Sequence, residues 1–178
     1  RRLWHPTLNM AQHLEICAPF VAKLRASDVT GPASMAEANV RIERLNANAP
    51  QFIRLLGGTV TALDMAAHKA VFTFIVPLDY CHSVDVVQGG FVTAMLDAAM
   101  SHALFGTDDS VSGVASLDIA TQFMGICRGE QPLQVTGSVK KATYRTAFLE
   151  AELRDTAGEL IAAGQSVAKL TRQSTDAS

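Results

Sequence analysis

A chain of 178 residues with 48% hydrophobic and 18% charged residues is long enough for one packed domain and too apolar on average for a disordered linker. Its net charge of −2, without any long block of like charges, argues against a nucleic-acid surface or an acidic tail and points to small molecules or further copies of the chain as partners. Cys17, Cys81 and Cys127 are odd in number, far apart and lack a Cys-x-x-Cys pair, which fits free thiols in a reducing, cytoplasmic compartment better than a disulfide framework or a zinc site.

The start, "RRLWHPTLNM", passes into a charged amphipathic stretch, so no signal peptide is visible. "PTLNMAQHLEICAPFVAKLRAS" and "PASMAEANVRIERLNANAPQFIRLL" carry apolar residues at helical spacing, with Thr7 and Ser34 as possible caps and Gly31-Pro32 as the breaker between them. Near residue 56 the pattern changes to alternation. "GTVTALDM" and "KAVFTFIV" predict two strands joined by a polar turn over Ala66 to Lys69. The loop "PLDYCHSVDVVQ" then leads into a long apolar helix over residues 86–105. Four β-type runs follow: "GVASLDIATQFM", "LQVTGSVKKAT", "RTAFLEAELRD" and "LIAAGQSVAKLT", the last two separated by Thr156, Ala157 and Gly158. Antiparallel hairpins bury a single apolar helix only by curling around it, so the order predicts an α+β fold in which the sheet wraps a central helix. The expected division is a helical extension over 1–47, the main domain over 48–172 and a polar tail over 173–178.

Within the central helix, "VVQGGFVTAMLDAAMSHALF", one acid stands among apolar neighbours. Val92, Met95, Leu96, Ala98, Ala99 and Met100 surround Asp97, and a carboxylate kept there must find partners or have its pKa raised toward the range a general base needs. Asp97, His102 and the Gly89-Gly90 pair also make the segment too short and polar for a membrane span of roughly 20 apolar residues. Gln88-Gly89-Gly90 opens the helix, where free amides and the helix dipole suit an oxygen that becomes negative during reaction. Gly89 and Asp97 lie eight residues apart on one helix, about 12 Å along its axis, too far to touch one carbonyl. If both act on one substrate, they come from different chains of a two-fold dimer with antiparallel central helices. Phe91, Met95, Phe123 and Met124 are apolar and adaptable, and are the candidates for a pocket lining. The five His residues show no ligand spacing, so no metal is expected.

From about Asn48 through Leu170 the residues resemble a family, the hotdog-fold acyl-CoA thioesterases, in particular the branch that includes the phenylacetate-degradation thioesterases. "VVQGGFVTAMLDAAMSHAL" is similar to its His-Gly-Gly…Asp segment, and "PQFIRLLGGTV", "SLDIATQFM" and "VKKATYRTAFLEAELRDTAGELIAAG" extend the likeness. The resemblance implies hydrolysis of acyl-CoA by a dimer or tetramer, with coenzyme A as part of the substrate and no separate cofactor. It implies that Asp97 is the nucleophile or general base, that the Gly89 amide polarises the thioester carbonyl beside Gly90, and that Ser116 helps position the attacking water. His82 stands where the family has an assisting Asn or Gln. Gln88 stands where it has His, and can donate and accept but not act as an acid. The resemblance further implies that Lys140, Lys141 and Arg145 help hold the nucleotide and phosphates. Two other readings stay open. A dehydratase or hydratase acting on acyl thioesters would pair His82 with Asp97, and a non-catalytic acyl-CoA-binding module would bind without turnover.

Overall fold

The computed structural model describes residues 32–173; the helix expected over residues 6–27 and nearly all of the polar tail lie outside them. The second expected helix is two: α1 (Pro32–Ala47) and α2 (Gln51–Leu55). Pro50 separates them, having no N–H to continue a helix but a φ of −55° that suits the cap of the next.

Strands β1 (Gly58–Asp64) and β2 (Lys69–Ile75) form the expected hairpin, which turns on Asp64, whose carboxylate accepts the Ala66 and Ala67 amides. The loop after β2 holds a short hairpin that alternation could not reveal, β3 (Cys81–His82) with β4 (Val86–Val87). Val86 and Val87 therefore belong to a strand, and the central helix α3 runs from Gly89 to Thr107, three residues later at its start than expected. β5 (Val111–Phe123), β6 (Pro132–Ala142), β7 (Thr146–Arg154) and β8 (Leu160–Arg172) complete the chain close to the predicted bounds.

Six strands form one antiparallel sheet in the order β1-β2-β6-β7-β8-β5. β7 shows how the pattern works. Ala147, Leu149, Ala151 and Leu153 point inward and are buried, while Phe148 and Glu152 point out. Against this concave face lies α3, whose Met95, Leu96, Met100 and Leu104 join Phe72, Phe74, Val135 and Leu153 in one core. Each such side chain contributes about 1.5–3 kcal/mol by leaving water. The helix approaches so closely that a Cβ on Gly137 of β6 would lie 2.2 Å from the Ala99 carbonyl oxygen. From α1, Ile42 and Leu45 pack against the same core.

Candidate active site

Beyond its first turn, α3 leaves Thr93, Ala94, Asp97, Ser101, Phe105 and Thr107 partly exposed. Their spacing of mostly three or four residues makes a narrow stripe that the chain's own sheet does not cover. This corrects the expectation that apolar neighbours enclose Asp97 on nearly every side. The stripe runs beside β5, to which it is tied by two hydrogen bonds. Thr93 donates to Thr121 at 3.1 Å, and the Ser116 hydroxyl donates to Oδ1 of Asp97 at 2.7 Å. The second is a charge-assisted bond that orients the carboxylate. A bulge shapes β5 just past Ser116: Ser116 pairs with Ala168 and Asp118 with Val167, leaving Leu117 as the extra residue. Asp118 closes the bulge by accepting the Val167 amide at 2.9 Å.

At the helix start, Gln88 takes the N-cap position without its side chain capping a backbone amide, and its carbonyl accepts from Phe91 and Val92. Among the described residues the Gly89 and Gly90 amides have no acceptor, as the first turn of a helix requires. The cap is held in place from below. Gln88 donates its amide to the Tyr80 carbonyl, Val87 donates to Cys127, and Arg128 grips both carboxylate oxygens of Asp85 at 2.8 Å. The two glycines differ in surroundings. A Cβ on Gly89 would lie 3.2 Å from the Phe123 ring, whereas one on Gly90 would meet nothing within 4 Å.

A cavity of about 460 Å³ opens beside this turn, lined by Phe52 and Leu55 of α2 and Leu56 just past it, by Tyr80, and by Gln88, Gly90, Phe91 and Ala94. Of the four pocket candidates read from the sequence, Phe91 lines it. Met95 is fully buried in the core, and Phe123 and Met124 lie exposed at the end of β5, Phe123 over Gly89. The contribution of α2 escaped sequence reasoning, although "PQFIRLL" holds more apolar residues than a five-residue helix can bury. Ile53 and Leu56 anchor it in the core, which leaves Phe52 and Leu55 for the cavity.

His82 is exposed on β3 and its ring Nδ1 pairs with the neighbouring Ser83 hydroxyl at 3.0 Å. The basic cluster lies elsewhere. Arg172 donates both to the Thr143 carbonyl at the β6–β7 turn and to Asp108 just past α3, which puts that turn at the C-terminal end of the helix, more than about 25 Å from Gly89 by helix rise. Lys141 and Arg145 are exposed there, and Lys140 pairs with Glu150 at 3.1 Å. Within one chain the cluster does not reach the helix start.

Burial pushes the Cys127 thiol up to about 12 and raises that of Cys81, so neither offers a thiolate near neutral pH. Among the described residues no three His, Cys, Asp or Glu side chains are grouped to hold a metal ion, and no helix is long and apolar enough to cross a membrane.

Residues 85–162 match the thioesterase superfamily. No curated protein matches the chain. Among solved structures, the chain is similar to a phenylacetic acid degradation-related protein from Ralstonia eutropha JMP134, with 20% identity over 72% of this chain and 98% of that one and a TM-score of 0.66. It is similar also to the E. coli PaaI protein of the phenylacetic acid degradation operon, with 15% identity over 76% and 94% and a TM-score of 0.66. For zebrafish thioesterase superfamily member 2 the identity is 22% over 80% and 100%, with a TM-score of 0.61. At such identities these structures establish the fold. The chain has the hotdog fold expected from its central motif, and the matched segment contains Gln88, Gly89, Asp97 and Ser116.

Proposed function

We propose that this hotdog-fold chain, with its match to the thioesterase superfamily, hydrolyses acyl-CoA thioesters to a free acid and coenzyme A, and does so as a two-fold dimer. The observation that carries the reading is Asp97, held by Ser116 on the uncovered stripe of α3 beside the free edge of β5. Gly89 and Gly90 offer the unpaired amides that a developing oxyanion needs, but helix rise keeps them about 12 Å from their own Asp97. Pairing two β5 edges about a two-fold axis, with the central helices antiparallel, brings each helix start to the other chain's Asp97.

In the proposed reaction the thioester carbonyl accepts from the Gly89 amide of one chain. Asp97 of the other takes a proton from water through the oxygen that Ser116 leaves free. The resulting hydroxide adds to the carbonyl carbon, the carbon–sulfur bond breaks, and the thiolate leaves to take up a proton from solvent. Gln88 orients the cap. His82, next to Ser83 on the hairpin below it, assists in holding that loop, and Lys140, Lys141 and Arg145 of the partner bind phosphate. A reducing, cytoplasmic setting suits the free Cys81 and Cys127.

The test is Asp97→Asn, which keeps the shape and the Ser116 contact but removes the base. Thiol release from acyl-CoA should fall at least about 10²-fold with folding unchanged. Activity within a few-fold of the original would remove Asp97 from the mechanism.

A further inference from the structure

Two hydrogen bonds tie β5 to α3, and together they contradict the period of a regular strand. Ser116 donates to Asp97 and Thr93 donates to Thr121, so Ser116 and Thr121 both face the helix. They are five residues apart, and in a regular strand residues an odd number apart point to opposite faces of the sheet. Both reach α3 because Leu117 is extra. With Ser116 paired to Ala168 and Asp118 to Val167, the bulge shifts the alternation by one, so that Ser116 faces inward before it and Ile119 and Thr121 face inward after it.

Leu117 itself is 66% exposed, so burial of its side chain is not what keeps the bulge. The fastening comes from the next residue, and it is double. The Asp118 carboxylate accepts the Val167 amide at 2.9 Å, at the point where the bulge disrupts the main-chain ladder. The Asp118 carbonyl accepts the Ser166 hydroxyl at 2.8 Å. Ser166 is only 3% exposed, among the buried residues of β8, where a hydroxyl needs a partner. The partner it has is the bulge.

We propose that Asp118 and Ser166 are positioning residues for the Asp97 carboxylate, a role that rests on the thioesterase reading. They fasten the bulge that turns Ser116 toward α3, and through Ser116 they fix which oxygen of Asp97 is left free to take a proton from water. Neither needs to touch the substrate. Loss of either fastening lets β5 relax toward regular pairing, in which Ser116 and Thr121 cannot both face the helix. The carboxylate then loses its fixed orientation, while the Gly89 and Gly90 amides stay as they were. The effect therefore falls on turnover rather than on substrate binding.

The experiment measures kcat and KM by thiol release from acetyl-, octanoyl- and phenylacetyl-CoA, with a crystal structure of each single variant. Asp118→Ala and Ser166→Ala should each lower kcat about tenfold with KM unchanged, less than the roughly 10²-fold that a misplacement of about 1 Å can cost. Asp118→Asn, whose amide oxygen accepts the same bond, should keep kcat within about twofold. Adding Asp118→Ala to Ser116→Ala should slow the enzyme no further, because the fastening acts through that hydroxyl, whereas a merely structural loss would add. The structures of Asp118→Ala and Ser166→Ala should lack the bond between Ser116 and Asp97. Ser166→Ala removes a single oxygen from a strand inside the sheet, so it decides the matter should Asp118→Ala fail to fold, and a loss shared by both is not one of association at the β5 edge. Unchanged kcat in both variants, losses that add to that of Ser116→Ala, or a persisting bond between Ser116 and Asp97 overturns the proposal. Should the unchanged protein hydrolyse no thioester, the thioesterase reading falls instead, and the crystal structures alone decide whether Asp118 and Ser166 position Ser116 against Asp97.

Discussion

The two edges of the sheet are finished in opposite ways. At β1 the chain closes its own edge: the Asn46 side chain of α1 donates to the Val60 carbonyl at 3.0 Å and accepts the Val60 amide at 2.8 Å, taking the place of a neighbouring strand. The site is a bulge, where Val60 and Ala62 pair with successive residues of β2. At β5, thirteen residues long, the outer edge is left without a partner strand among the described residues. It has neither Lys nor Pro to discourage pairing, and Leu117 and Phe123 are 66% and 56% exposed. A long edge with exposed apolar side chains can take up another chain, and here only the bulges at Ser112 and Leu117 and the carboxylate of Asp118 blunt it. The difference separates an edge that folding completes from one that the chain leaves open among the described residues, and Asp97 lies beside the second.

The comparison breaks most severely if β5 is charged. Leu117→Lys would set like charges close together across a two-fold contact, a cost of several kcal/mol, and is expected to shift the protein to monomers in sedimentation and to remove most thioesterase activity with it. A monomer that retains full activity would end the shared-site arrangement.

Asn46→Ala tests the closed edge. It leaves the Val60 N–H and C=O without their partner and should cost about 1–3 kcal/mol in denaturant unfolding, while leaving the association state alone. A change of oligomer with no loss of stability would mean that the two edges had been assigned the wrong way round.

A subtler contrast concerns acid. His102 lies buried on the closed side, edge-on to Phe72 at 5.0 Å, with its Nδ1–H donating to the Ala98 carbonyl at 2.8 Å. Burial lowers its pKa from 6.5, outweighing the carbonyl bond, which raises it. The folded state thus holds His102 neutral where the unfolded chain takes up a proton. Stability should be complete above pH 6.5 and decline as the pH falls below it, by an amount that His102→Phe reduces. Unfolding midpoints at pH 7.5 and 5 would show this, and a decline of equal size in both proteins would clear His102.

The smallest effect is expected at the exposed Asp85–Arg128 pair under the helix cap. Arg128→Gln should cost less than about 1 kcal/mol and change activity only modestly. A large loss in kcat with stability intact would assign the β3–β4 hairpin a stricter role in placing Gly89.

Legibility varied with the range of the interaction. β1, β2 and β5 to β8 were readable because alternation with a period of two is written in consecutive residues, and α3 because its apolar run is flanked by a glycine pair. β3 and β4, at two residues each, are too short for any period, which is why α3 was begun three residues early. Ser116 is singled out by the resemblance alone, as a residue that helps position water, and its 2.7 Å bond to Asp97 is visible only in the structure. Met95 suits a pocket lining by its residue type yet lies in the core, because an apolar helix residue looks the same in sequence whether it faces a core or a cavity. The basic residues Lys140, Lys141 and Arg145 were linked to the site by a hairpin whose distance from Gly89 no local pattern encodes.

The residues by themselves determined the element order, the wrapped helix and the acid on it, because each follows from spacing along the backbone. Tertiary structure decided which stripe of α3 stays uncovered, since that depends on where β5 falls in the sheet. It decided also that one edge meets Asn46 while the other is bare, and that Gly90 faces open space while Gly89 faces Phe123. These outcomes depend on contacts between residues far apart in the chain, whose geometry exists only once the sheet has curled around the helix.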